Sequence, residues 1–112
     1  MGAAYDRAEQ IIKELHGLGV RASADVYAVN PPCVLIVPPD RRYDLSCGFT
    51  ARWTFVALAP GALGQDRSTW QQLDTMADAV GEVADVTDTQ LVAYTLQGKT
   101  YPTYLITAEE AV

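Results

Sequence analysis

His16 is the only histidine in the chain, so any imidazole acid–base chemistry would rest on it alone. It shares a helical face with Glu9 and Lys13, away from Ile11, Leu15 and Leu18, which is the setting of a solvated side chain. Cys33 and Cys47 stand inside apolar runs, without C-x-x-C or Cys/His spacing, and read as two buried, reduced thiols. With one histidine and two strand cysteines there is no zinc-type ligand set. Ser23, Ser46 and Ser68 lie outside any G-x-S-x-G nucleophile elbow. Gly61-Ala62-Leu63-Gly64 lacks the lysine and the strand-to-helix context of a phosphate loop. Asp74 and Asp78 fall one helical turn apart, with Gln71 and Glu82 on the same side, and read as a solvated face rather than an acid–base pair. The expectation is a non-enzymatic protein with no catalytic, cofactor-binding or metal-binding residues.

Charge points the same way. Fourteen acidic residues against eight basic ones give a formal net charge of −6. Arg41 and Arg42 are the only adjacent basic pair, and a basic stripe of the kind that neutralises phosphates is missing. An acidic surface would instead let DNA slide past by like-charge repulsion. The opening MGAAYDRAEQ has no apolar signal core, and no apolar run approaches a membrane span. The expected location is the cytosol, without membrane partners.

These side chains need elements to hold them. A length of 112 residues with 49% hydrophobic composition predicts a single domain over residues 1–112. Ala4, Ala8, Ile11, Ile12, Leu15 and Leu18 recur at helical spacing, and Gly17 and Gly19 offer a helix end, so a helix is predicted over residues 3–17. An extended segment is expected at residues 25–29, closed by Asn30-Pro31-Pro32. Residues 33–37 are apolar at every position and predict a strand buried on both faces, ended by Pro38-Pro39. Residues 40–44 read as a charged connection. Residues 46–59 alternate, with Cys47, Phe49, Ala51, Trp53, Phe55 and Ala57 on one face. That strand is long enough for its far end to leave the domain body as a hairpin arm. After a loop at residues 60–65, Ser68 as N-cap with Gln71 forms a capping box. A second helix follows over residues 69–84, with Trp70, Leu73, Met76, Ala77, Val80 and Val83 inward. Strands at residues 90–96 and 101–107 flank a turn at Gln97-Gly98-Lys99, and Pro102 marks an edge strand or bulge. The predicted class is α+β, in the order α-β-β-β-α-β-β: two helices on one face of a mainly antiparallel sheet of four to five strands.

Strands about 4.8 Å apart under helices about 10 Å apart leave one sheet face uncovered. Val56, Leu58, Val92, Tyr94, Tyr104 and Ile106 add to the apolar strand at residues 33–37. A second copy of the chain is the economical cover for the surplus.

Four features occur in order along nearly the whole chain. They are the N-terminal amphipathic helix, Asn30-Pro31-Pro32-Cys33-Val34-Leu35-Ile36 with Pro38-Pro39, the strand Ala51-Arg52-Trp53-Thr54-Phe55-Val56-Ala57-Leu58, and the helix start Trp70-Gln71-Gln72-Leu73-Asp74. In this order the chain resembles the tail-terminator proteins of long-tailed (siphovirus-type) phages, especially those of actinobacterial hosts. The resemblance implies a hexameric ring at the tail–neck junction of the virion. Such a ring caps the tail tube, stops its polymerisation and presents a surface to the neck proteins. Its implied partners are further copies of itself, the major tail tube protein, a neck or head-completion protein, and genomic DNA passing through an acidic lumen without specific binding. The candidate contact residues are Arg41, Arg42 and Tyr43, then Arg52, Val56, Leu58, Leu63 and Arg67, with residues 109–112 as a further contact region. The alternatives are another neck-ring protein (head-closure or tail-completion) and a small oligomeric regulatory domain that binds a metabolite.

Overall fold

In the computed structural model, residues 2–43, 49–60 and 67–111 are described. Helix α1 spans Ala3–Gly17 and buries Ala4, Ala8, Ile11 and Leu15. It stops where its spacing predicts. Gly19 takes a φ of +82°, its N–H reaches the His16 carbonyl at 3.0 Å, and the Val20 N–H reaches that of Leu15 at 2.9 Å. This pair of bonds satisfies carbonyls that a helix end leaves open.

Six strands follow: β1 (Ala22–Ser23), β2 (Cys33–Ile36), β3 (Asp40–Tyr43), β4 (Phe49–Leu58), then, after helix α2 (Arg67–Val83), β5 (Val86–Leu96) and β6 (Lys99–Ala111). They form one sheet in the order β1-β2-β4-β6-β5, with β3 also on β4. Only the β1–β2 pairing is parallel. The α+β class and the two helices agree with the sequence; the sheet has six strands rather than four or five.

Both helices cover one face. Ile11, Leu15, Leu73, Met76 and Val80 meet Val34, Ile36, Trp53, Phe55 and Ile106 in the main core. Fully burying an aliphatic side chain such as Ile11, at 0% exposure, stabilises by about 1.5–3 kcal/mol. In α2 the inward stripe is Thr69, Leu73, Met76 and Val80. Trp70, expected inside, is 67% exposed, because it sits about 100° round the helix from Thr69. The Thr69 hydroxyl satisfies itself on the Pro60 carbonyl at 3.0 Å. Ser68 is not the cap: α2 already begins at Arg67.

Three further expectations are corrected. Residues 26–28 form a 3₁₀ turn instead of a strand. The Asp25 carboxylate accepts from the Tyr27 N–H at 3.0 Å and the Ser23 hydroxyl from the Asp25 N–H at 3.0 Å, local bonds that compete with a strand ladder. Residues 40–43 are strand β3 rather than a connection. They pair with Phe49–Arg52, and their charge marks an edge strand. Between Ile36, opposite Phe55, and Asp40, opposite Arg52, the chain takes four steps against three on β4, an extra residue placed at the prolines that cannot donate. Third, the arm is made by β5 and β6. The far half of β4, Val56–Leu58, is buried, whereas β6 pairs with β5 for four rows beyond the Leu58–Thr103 row. The thirteen residues of β6, at about 3.4 Å each, account for most of the 48 Å long axis. Gln97 and Gly98, with φ of +51° and +81°, close this hairpin in a two-residue turn whose hand matches strand twist. Pro102 lies where β4 has ended, so its missing N–H costs no ladder bond, and its carbonyl accepts from the Ala59 N–H at 3.1 Å.

Candidate assembly surface

The face of the sheet away from the helices divides into two. At the hairpin end Leu35, Val56, Leu58 and Leu96 form a second apolar cluster, with Val26, Val29, Val37, Tyr94, Tyr101 and Leu105 packed on it. The chain itself therefore covers the apolar surplus, through the segment around the 3₁₀ turn. Val56 and Leu58, expected as contact residues, are 2% and 0% exposed and belong to this core. No second copy is needed to bury them.

The other end is charged and open. Asp40, Arg42, Thr50, Arg52 and Glu109 line a groove of about 600 Å³ with Arg41 at its rim. Register places Asp40 beside Arg52 and Arg52 beside Glu109, yet among the described residues none of them closes an ion pair. On the opposite side of β3, Arg41 stacks its guanidinium 4.6 Å from the Phe49 ring centre. It also donates to the Tyr43 hydroxyl at 3.4 Å, and Tyr43 tilts against Phe49 at 5.7 Å. Arg41, Arg42, Tyr43 and Arg52 are thus brought together at one corner of the sheet. Arg67 is exposed at the start of α2, and Leu63 lies outside the described residues.

Residues 109–111 are not a loose tail but the end of β6, where Glu110 holds a polar junction. Arg7 Nε and Nη2 donate to its two oxygens at 2.8 and 3.2 Å, and Trp53 Nε1 donates to Oε1 at 3.1 Å. Arg7 also reaches the Val83 carbonyl at the end of α2 at 3.0 Å. The bond to Glu110 pushes the Arg7 pKa up, against the opposing effect of burial. Here α1, α2, β4 and β6 are tied by one bidentate pair.

The other titratable and nucleophilic side chains among the described residues make local contacts or lie on open surface. His16 is exposed, as expected, and its Nε2 accepts from the Ala22 N–H at 3.4 Å at the start of β1. Cys33 is buried and free, with its thiol donating to the Val34 carbonyl at 3.7 Å. Burial pushes its pKa up, which makes it a poor nucleophile. Cys47 lies outside the described residues. Asp74, Asp78 and Glu82 form an exposed ridge along α2, continued by Asp85. Arg21, Gln71, Gln72 and Thr75 line a groove of about 400 Å³ beside Gly19 and Pro32. The Arg21 guanidinium there is engaged by the Asn30 and Pro32 carbonyls at 2.9 and 3.3 Å. Among the described residues no helix is long and apolar enough to cross a membrane.

One surface escaped the sequence. Strand β5 borders the sheet for eleven residues, with Leu91 60% exposed and Asp88 its only charge. It contains neither proline nor lysine, the residues that usually blunt an edge. The length of Val86–Leu96 was the available signal, but Val86 to Thr89 alternate too weakly to extend a strand expected at residues 90–96.

Comparison of the chain with protein-family models, curated proteins and solved structures finds no match.

Proposed function

We propose that this chain is a structural subunit of a self-assembled ring that caps a phage tail tube, stops its polymerisation and joins it to the neck. The observation that carries the reading is that unlike strand edges stand on the two borders of the sheet among the described residues, β5 on one border and β1 and β3 on the other. Different patches on opposite borders suit head-to-tail contacts, which form rings where the rotation between copies closes. The reading is supported as well by the four-part resemblance to tail terminators. Its Asn30-to-Ile36 segment leads into β2, the strand seated between β1 and β4. The resemblance sets the ring number at six and the partners as the tail tube protein and a neck protein, with no enzymatic step. The acidic ridge Asp74, Asp78, Glu82 is the candidate lumen wall, where it would repel passing DNA. A ring reconstruction with a basic lumen rejects that assignment.

The direct test mixes the purified chain with polymerising tail-tube subunits and measures tube length by electron microscopy. Shortened tubes ending in a six-fold density support the reading. Tubes of unchanged length overturn the capping function, and a strict dimer that binds a small molecule overturns the reading in favour of the regulatory-domain alternative.

A further inference from the structure

The geometry points to one specific contact: β3 of one copy adds to β5 of the next as an antiparallel strand, setting Arg42 of the first against Asp88 of the second. It rests on the self-assembling reading above and names the surfaces that join.

Direction, face and charge each fit. Because β3, β6 and their common neighbour β4 alternate in direction, and β5 opposes β6, β3 and β5 run in opposite senses. A copy continued sideways from β5 therefore presents β3 antiparallel. The two borders stand at different levels along the strands, so the contact includes a shift of one copy along the strand direction. Asp40–Tyr43 lies opposite Phe49–Arg52, while the row through Trp53 and Ala108 leads to Val86. Arg42, in the row of Thr50, and Asp88, in the row of Thr54, differ by four residues, about 14 Å at about 3.4 Å each, and an even shift keeps both side chains on one face. Arg42 shares the open face with Thr50 and Arg52, and Asp88, opposite Thr107 in the row of Thr54, lies on that same face.

Neither Arg42 and Arg52 on one border nor Asp85 and Asp88 on the other has an ion-pair partner among the described residues. The basic corner of one copy is thus complementary to the acidic start of β5 on another. Backbone groups are available too. The two-residue turn makes Leu96–Lys99 a hydrogen-bonded pair, so alternation turns the N–H and C=O of Thr89, Leu91, Ala93 and Thr95 outward. The Pro102 carbonyl, which points to Ala59 and not to Ala93, agrees with that phase. Because the contact joins unlike borders, it propagates past a dimer, and it forms a ring where the rotation between copies closes.

The test is the mass of the purified chain, by native mass spectrometry and light scattering over a concentration series. The variants are Arg42→Glu, Asp88→Arg, the two combined, and Thr89→Pro, which deletes an outward N–H without removing a bond to β6. The wild-type chain is expected as a closed multimer. Each single charge reversal should weaken association about a hundredfold, because like charges then face each other, and the combined swap should recover most of it. Thr89→Pro should give a monomer with an unchanged circular dichroism spectrum. A wild-type monomer at every concentration, single reversals that leave the mass unchanged, or a swap no better than the singles would overturn the contact. Tubes that are capped by a ring indifferent to the swap sink this contact alone. A swap-sensitive ring that leaves tube length unchanged sinks the capping function alone.

Discussion

Along one face of β4 the residues run Thr50, Arg52, Thr54, Val56, Leu58, and the two halves of that row meet opposite environments. The first half looks onto a charged groove with Asp40, Arg42 and Glu109. The second is sealed under Leu35, Leu96, Val26 and Val29. The strand is continuous and the face the same, so backbone geometry does not separate them. The difference comes from what the chain folds back over the sheet: a short 3₁₀ turn at one end and nothing among the described residues at the other. A row of side chains is thus core at one end and contact surface at the other. Apolar content alone does not identify an assembly surface when the chain can cover it.

Mutations on the two halves test this division. Leu58→Ala should cost about 2–5 kcal/mol in denaturant unfolding, since it empties a fully buried site. A loss below about 1 kcal/mol would return Leu58 to the surface. Glu110→Ala should cost about 1–3 kcal/mol, because Arg7 and the Trp53 N–H lose their acceptor together. An unchanged midpoint would show the junction to be ornamental. Asp25→Ala should cost about 1 kcal/mol, as loss of a cap. It should also speed amide exchange at Val56 and Leu58 more than at Thr50, and uniform exchange would mean that the turn is not the cover.

Cys33 probes the sealed end by pH. Its folded pKa is raised by burial, so the folded state holds the proton more tightly than the unfolded chain. Stability is then level below the ordinary thiol pKa of about 8.5 and falls as pH climbs from there towards the raised folded value. Cys33→Ala should flatten that decline, and an identical alkaline profile would place the thiol in solvent. The smallest effect is expected at Arg52→Ala, within about 0.5 kcal/mol, with altered association as its only consequence.

Much of the fold is legible in the residues. The stripe from Ala4 to Leu15, the Gly19 end, the apolar run of β2, the alternation of β4 and the turn at Gln97-Gly98 each depend on local spacing or on a φ that glycine tolerates. The site is less legible. Arg41, Arg42, Tyr43 and Arg52 stand out as candidates by type, but β3 has no hydrophobic alternation and exists only because Phe49–Arg52 offers it a partner. The β5 edge is hidden for a related reason: its first rows are polar and are held by β6.

The sequence by itself determined the two helices, the α+β class and the residues that share each face. These follow from side-chain type and periodicity, which act within a few residues. Only the tertiary structure decided which faces are covered, which edges stay unpaired, and that Glu110 is a junction while Leu58 is core. Those outcomes depend on segments far apart in the chain meeting in space, and no local pattern encodes that meeting.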